Sequence, residues 1–197
     1  MTTATTTTLE TLTIKASEFN DLLLGASVAM DKSKTATDNL ASVYLSAQGD
    51  SYLTAKASDR YRLIEGKLEI AGGTLAECQL RANDVKNILT TIKANKVASE
   101  ITLTRAGDTL SLAIGSTSLN VILGGGKFPP YAHLFELEPS PMDKIMLNPT
   151  YLASFDKVPA SDDGNIFTFY GQGKPIGVTI NHNRISWRGL LMPMRIK

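Results

Sequence analysis

The chain has little of what most catalytic and extracellular chemistry needs. It holds one cysteine, Cys78, so no disulfide can form within it, and no Cys/His spacing suits a zinc site. The only histidines, His133 and His182, lie near neither the cysteine, a Gly-X-Ser-X-Gly elbow nor a carboxylate pair. The glycine run at 124–126 is followed by no Lys-Ser/Thr and no helix, which excludes a phosphate loop. No apolar run approaches the ~20 residues needed to cross a bilayer. The polar start MTTATTTT lacks the apolar stretch of a secretory signal. The expectation is a non-enzyme with no metal, no cofactor and no membrane partner, in a reducing, cytoplasmic setting. Net charge is also missing, at +1, so a nucleic-acid partner would need basic groups gathered on one surface.

What is present is an ordinary globular composition, 43% hydrophobic and 20% charged over 197 residues, enough to bury a core. Residues 1–8, rich in Thr, have nothing to pack and are expected to be disordered. Residues 12–16 alternate like a strand and run into Ser17, an expected N-cap. Phe19, Leu22, Leu23, Ala26 and Met30 then follow helical spacing with one buried face. After a polar loop at 31–39, strands are expected at 42–47, 52–57 and 62–70, separated by Gly49-Asp50 and by a corner at 58–61.

The same order recurs. A strand at 76–81 leads to Asn83 as N-cap and to a helical face of Val85, Ile88, Leu89 and Ile92, with strands at 100–104, 109–114 and 118–123. It recurs again after a Pro-containing connector. A strand at 144–147 leads to Asn148 and Pro149 as cap and first turn. Tyr151, Leu152 and Phe155 form a short apolar face, and strands follow at 166–170, 176–181 and 185–191. The three expected caps lie 66 and then 65 residues apart, the mark of an internal repeat. The fold class is therefore α+β, built of three strand–helix–three-strand units. One unit cannot cover both its helix and its sheet, so units should pair. Units one and two make a complete domain over residues 9–135, residues 136–143 are a linker, and residues 144–197 are a half domain.

Three short elements stand out from this frame. They are Ala57-Ser58-Asp59-Arg60-Tyr61-Arg62-Leu63, then Phe128-Pro129-Pro130-Tyr131, and finally Met192-Pro193-Met194-Arg195-Ile196. In this order they resemble the Ala-Thr-Asp-X-X-Arg-Leu corner, the Phe-Pro-X-Tyr element and the terminal Met-Pro-Met-Arg-Leu tail of the bacterial DNA sliding clamp. The resemblance covers nearly all of this chain, but the chain holds three units where that family has six. It implies the DNA-clamp fold, with helices on the inner face of a ring and antiparallel sheets outside. It implies a polymerase processivity factor that encircles duplex DNA without reading sequence. The partners implied are a replicative DNA polymerase and a clamp loader, met through a pocket for short peptides. A shortened form of this kind suits a compact phage genome.

Carried over by position, the resemblance assigns that pocket Ser58, Arg60, Tyr61, Arg62 and Leu63 from the corner. It adds Pro129, His133 and Leu134 from the second element, Asn148 and Tyr151 from the third helix, and Met192, Pro193, Met194 and Arg195 from the tail. Methionine and leucine give an adaptable apolar floor, and Arg and Tyr a hydrogen-bonding rim. Any one of these Met or Leu residues alone reads as ordinary core; the set reads as a pocket. Arg60 departs from the family, which usually has Gly there. The implied DNA-facing groups are Lys86, Lys93 and Lys96 on and after the second helix, with Lys32, Lys34 and Lys157. A helix-face lysine is ordinarily just solvated, and the implied ring is what singles these out. Trp187 with Arg184 and Arg188 has the composition of a base-stacking platform, but reads better as a packed strand Trp beside solvent-facing Arg.

The unpaired third unit implies that two copies pair about a twofold axis. Family rings hold twelve units, so four chains of three units, a homotetramer, are expected. The alternative is a non-enzymatic structural or assembly protein of β-rich repeats, which has no reason to carry the corner and the tail together.

Overall fold

The computed structural model describes residues 9–47, 51–161 and 164–196. The expected disordered tail at 1–8, the turn at Gly49-Asp50 and the last residue, Lys197, lie outside the described residues. The first unit consists of β1 (Glu10–Lys15), α1 (Ala16–Ala26), β2 (Ser42–Ala47), β3 (Tyr52–Ser58) and β4 (Arg62–Glu69). The second consists of β5 (Leu75–Arg81), α2 (Ala82–Ala94), β6 (Glu100–Ala106), β7 (Thr109–Ile114) and β8 (Thr117–Ile122). The third holds α3 (Pro149–Ser154), β9 (Asn165–Phe169), β10 (Ile176–Ile180) and β11 (Ile185–Leu191). The α+β class matches the sequence expectation, and the helix followed by three strands recurs in all three units.

The first two helices start directly from a strand, ahead of Ser17 and Asn83. Their N-cap positions are Lys15 and Arg81, whose own side chains cap nothing, though at α2 the Asp84 carboxylate accepts from Arg81 N at 3.1 Å. A helix leaves its first N–H groups without internal partners. Here Ala16 N donates to Ser99 O at 2.9 Å and Ala82 N to Ala41 O at 3.0 Å, so a neighbouring strand's lead-in carbonyl takes the role expected of a cap. Only α3 carries the expected cap. The Asn148 side chain accepts from Thr150 N and Tyr151 N, with Pro149 in the first turn.

Units one and two exchange their first strands. β1 pairs antiparallel with β6, and β5 pairs antiparallel with β2. The result is a four-stranded sheet, β1-β6-β7-β8, and a seven-stranded sheet, β5-β2-β3-β4-β11-β10-β9. The apolar helix faces read from the sequence are buried: Phe19, Leu22, Leu23 and Ala26 on α1, and Val85, Ile88 and Ile92 on α2.

The third unit joins this domain by extending the larger sheet. β11 pairs with β4 from Ile185↔Leu68 to Leu191↔Arg62. Trp187 is 2% exposed and lies between Gly25 of α1 and Gly66 of β4. A Cβ at Gly25 would come within 2.4 Å of its ring, and one at Gly66 within 2.3 Å. Glycine is needed here for close approach, and the indole fixes where the third unit sits. Arg188 pairs with Glu65 at 2.6 Å and Arg184 with Glu18 at 3.3 Å. Trp187 is therefore core, as the sequence favoured, and not a base-stacking platform.

One expected strand is absent. Residues 144–147 form no strand and make a single bridge, Met146↔Met194, with Met194 N donating to Met146 O at 2.8 Å. Their counterparts β1 and β5 are strands because each finds a partner in the other unit. Among the described residues no such partner exists for the third. No helix of the described residues is long and apolar enough to cross a membrane.

Candidate functional site

The corner between β3 and β4 is held by one buried carboxylate. Asp59 Oδ1 accepts from Tyr61 N at 3.1 Å and Arg62 N at 2.7 Å, while Oδ2 accepts from Arg62 Nε at 2.9 Å and Nη2 at 2.6 Å. Ser58 Oγ donates to Arg62 O at 2.8 Å and closes the same turn. This tight turn puts Arg60 in the left-handed region, φ 76°, the only described non-glycine residue with positive φ. That explains why glycine suits the position, since an L side chain there costs about 1–2 kcal/mol.

The corner then reaches across to the third unit. Arg62 Nη1 donates to Ser154 Oγ at 2.6 Å, and its guanidinium lies 4.6 Å from the centre of the Tyr151 ring. Tyr61 stacks on Tyr151 with centroids 5.6 Å apart and planes at 24°. Burial, then the nearby Asp59 charge, raises the Tyr151 hydroxyl above its ordinary value. The tail closes the arrangement, because Met192 N donates to Tyr61 O at 2.8 Å. Leu63 is buried beneath the corner, while Tyr61 is 55% exposed, Met192 41% and Met194 49%. Met192, Pro193, Met194 and Arg195 line a groove of about 490 Å³ together with Met142, Ile145 and Met146. The chain thus presents exposed methionines and the exposed Tyr61 on an ion-paired base, a surface suited to an apolar peptide.

The structure brings Ser58, Arg60, Tyr61, Arg62 and Leu63 of the corner together with Tyr151 and the tail. Asn148 acts from behind, as the cap that positions Tyr151. The Phe128–Tyr131 element goes elsewhere, onto the sheet itself. Tyr131 donates its hydroxyl to Glu65, Lys56 lies 5.2 Å from the ring centres of both Phe128 and Tyr131, and Phe128 meets Tyr44 edge-on. Burial works to raise the Glu65 carboxyl. Hydrogen bonds from Arg188 and Tyr131, with the charges of Arg188 and Lys67, outweigh it and hold the group below its ordinary value. Pro129 and His133 are exposed and Leu134 is half-buried beside this cluster in sequence, in and next to the short 3-10 turn Ala132–Phe135. Asp59 and Ser154 were missed as site residues. Asp59 could have been found from its place just ahead of Arg60 and Arg62 in the corner, but nothing local marks Ser154.

The proposed DNA-facing lysines are all exposed: Lys32, Lys34, Lys86, Lys93, Lys96 and Lys157. None forms an ion pair among the described residues. Lys86 and Lys93 share the α2 face opposite Val85, Ile88 and Ile92. The remaining sequence features are structural. Gly124 N and Gly126 N donate to Gln79, at 3.0 and 2.8 Å. The His182 Nδ1 accepts from Arg184 N and Ile185 N at the β10–β11 turn. Burial raises the Cys78 thiol to about 12, so it is unreactive. No cluster of His, Cys, Asp or Glu among the described residues could hold a metal ion.

No family model and no curated protein sequence matches this chain. Solved structures do. The chain is similar to the DNA polymerase III beta subunit of Thermotoga maritima, with TM-score 0.80 and 14% identity over 100% of this chain and 68% of that one. It is similar to a putative DNA polymerase III beta subunit from Eubacterium rectale, with TM-score 0.79 and 6% identity over 98% and 68% of the two chains. The DNA polymerase sliding clamp of Pseudomonas aeruginosa gives TM-score 0.76 and 14% identity over 95% and 67%. At these identities the likeness is one of fold: the chain has the sliding-clamp fold.

Proposed function

We propose that the chain is a DNA sliding clamp, a non-enzymatic processivity factor that encircles duplex DNA and holds a replicative polymerase by a peptide. The observation that carries this reading is the convergence of the corner, Tyr151 and the tail on one exposed apolar site, on a clamp fold. A purely structural repeat protein has no use for methionines held at the surface by a buried Asp59–Arg62 pair. Short polymerase or loader peptides would lay apolar side chains on Met192, Met194 and Tyr61, with Arg60 and Arg195 at the rim. Lys86 and Lys93, with Lys96, Lys32, Lys34 and Lys157, would meet phosphates without reading sequence. Three units per chain and twelve per ring make the assembly a homotetramer.

Deleting residues 192–197 tests the site. Loss of binding to a clamp-binding peptide, with unchanged oligomer mass, is expected in fluorescence anisotropy; undiminished affinity would refute the assignment. Charge reversal at Lys86 and Lys93 should speed loss of the protein from circular DNA. Equal retention at low salt would remove those residues from the hole.

A further inference from the structure

The third unit is open where the first domain is closed, and the first domain shows what closes it. In the complete domain the strand before the second helix serves two neighbours. β5 pairs along one edge with β2 of the other unit, and at Gln79 it meets its own unit's chain just beyond β8, at Gly124. Gly124 N donates to Gln79 O at 3.0 Å. The third unit repeats the second of these contacts. Met146 stands two residues before the cap Asn148, as Gln79 stands two before Arg81, and it meets Met194 just beyond β11 in the same sense, N–H to carbonyl at 2.8 Å.

Residues 144–147 are thus set out as a first strand on their own unit's side, with their other edge unpaired. β9 has the complementary need. It pairs with β10 on one side, and on the other only its far end is met, by Ser140 N donating to Phe169 O at 2.9 Å. A cavity of about 670 Å³ lies between that edge and residues 139–145. Phe167 and Phe169 stand opposite the buried Val178 and Ile176, on the core face of the sheet, yet they are 37% and 39% exposed.

We propose that a second copy of the chain completes this unit by reciprocal strand exchange. Residues 144–147 of each chain pair antiparallel with the free edge of β9 of the other, as β5 pairs with β2 and β1 with β6. The proposal rests on the oligomeric reading above and specifies its contact. The inward positions of the exchanged segment follow from the repeat. Ile14 and Leu12, and likewise Leu80 and Cys78, are buried one and three residues before their caps. The counterparts are Leu147 and Ile145, which would cover Phe167 and Phe169.

Intermolecular disulfides test this. Cys78 is buried, and I145C chains would be mixed with F167C or F169C chains under mild oxidation. A covalent dimer that forms in a mixture, not in any single variant, and vanishes on reduction is expected. If light scattering shows an oligomer but no mixture cross-links, the exchange is wrong while the ring survives. If the protein is a monomer that does not cross-link, both fall. As a second arm, replacing Phe167 and Phe169 by Asp should halve the oligomer mass and leave peptide binding intact; an unchanged mass would overturn the exchange.

Discussion

Residues 10–122 and residues 144–196 run through the same unit and end in different conditions. In the first region two units exchange strands, each helix takes a carbonyl from the other unit, and the apolar faces close over each other. In the third unit the helix is six residues long and caps itself through Asn148, with Pro149 lacking the N–H that Ala16 and Ala82 donate to a neighbour. Its outer strand leaves Ile166 57% exposed, beside the half-open Phe167 and Phe169. The difference teaches that the same unit has a first strand where another unit offers an edge, as for β1 and β5, and only an isolated bridge where none does.

The sharpest way to break the comparison is at the joint. Trp187→Ala removes the large side chain of β11 that packs on Gly25 of α1 and Gly66 of β4. It is expected to cost about 3–5 kcal/mol, as large-to-small changes in a core do. Thermal unfolding should then split, with the third unit melting before the first domain; a single transition at the original temperature would show that the indole does not fix the third unit.

A smaller effect is expected from pH. Glu65 lies on β4, where Arg188 of the third unit meets Tyr131 of the segment after β8, and its carboxyl is held below the ordinary value. A lowered folded-state value means stability fully present above the unfolded value near 4.5 and lost as pH falls through the folded one. Glu65→Gln should flatten that acid limb, and a denaturation midpoint with the same pH dependence in both proteins would contradict it. The smallest effect is at the corner. Arg60→Gly relieves a left-handed backbone and should stabilise by roughly 0.5–1 kcal/mol in chemical unfolding. Destabilisation would mean that the Arg60 side chain holds the turn.

Much of the fold was legible in the sequence because each unit carries its own signals. The helical spacing of Phe19, Leu22 and Leu23 and the alternation of the strands depend on local burial alone, and the Asn148-Pro149 cap is local too. What was not legible depended on other parts of the chain. Ser17 and Asn83 are cap-type residues, while the helices start earlier because Ser99 and Ala41 carbonyls receive their first N–H groups. Residues 144–147 have the pattern of a strand but, among the described residues, make a single bridge, Met146↔Met194. At the site, the corner and tail were visible as motifs. Their meeting with Ser154 and Tyr151 comes only from the β4–β11 pairing, and the placement of Phe128 and Tyr131 on the sheet comes only from Glu65 and Lys56. Long-range pairing, more than local propensity, was the missing term.

The most direct test of the account is the mass in solution, by light scattering across a concentration series. A closed ring of paired units predicts a mass of roughly four times the 21.2 kDa chain. A monomer at every concentration would contradict it.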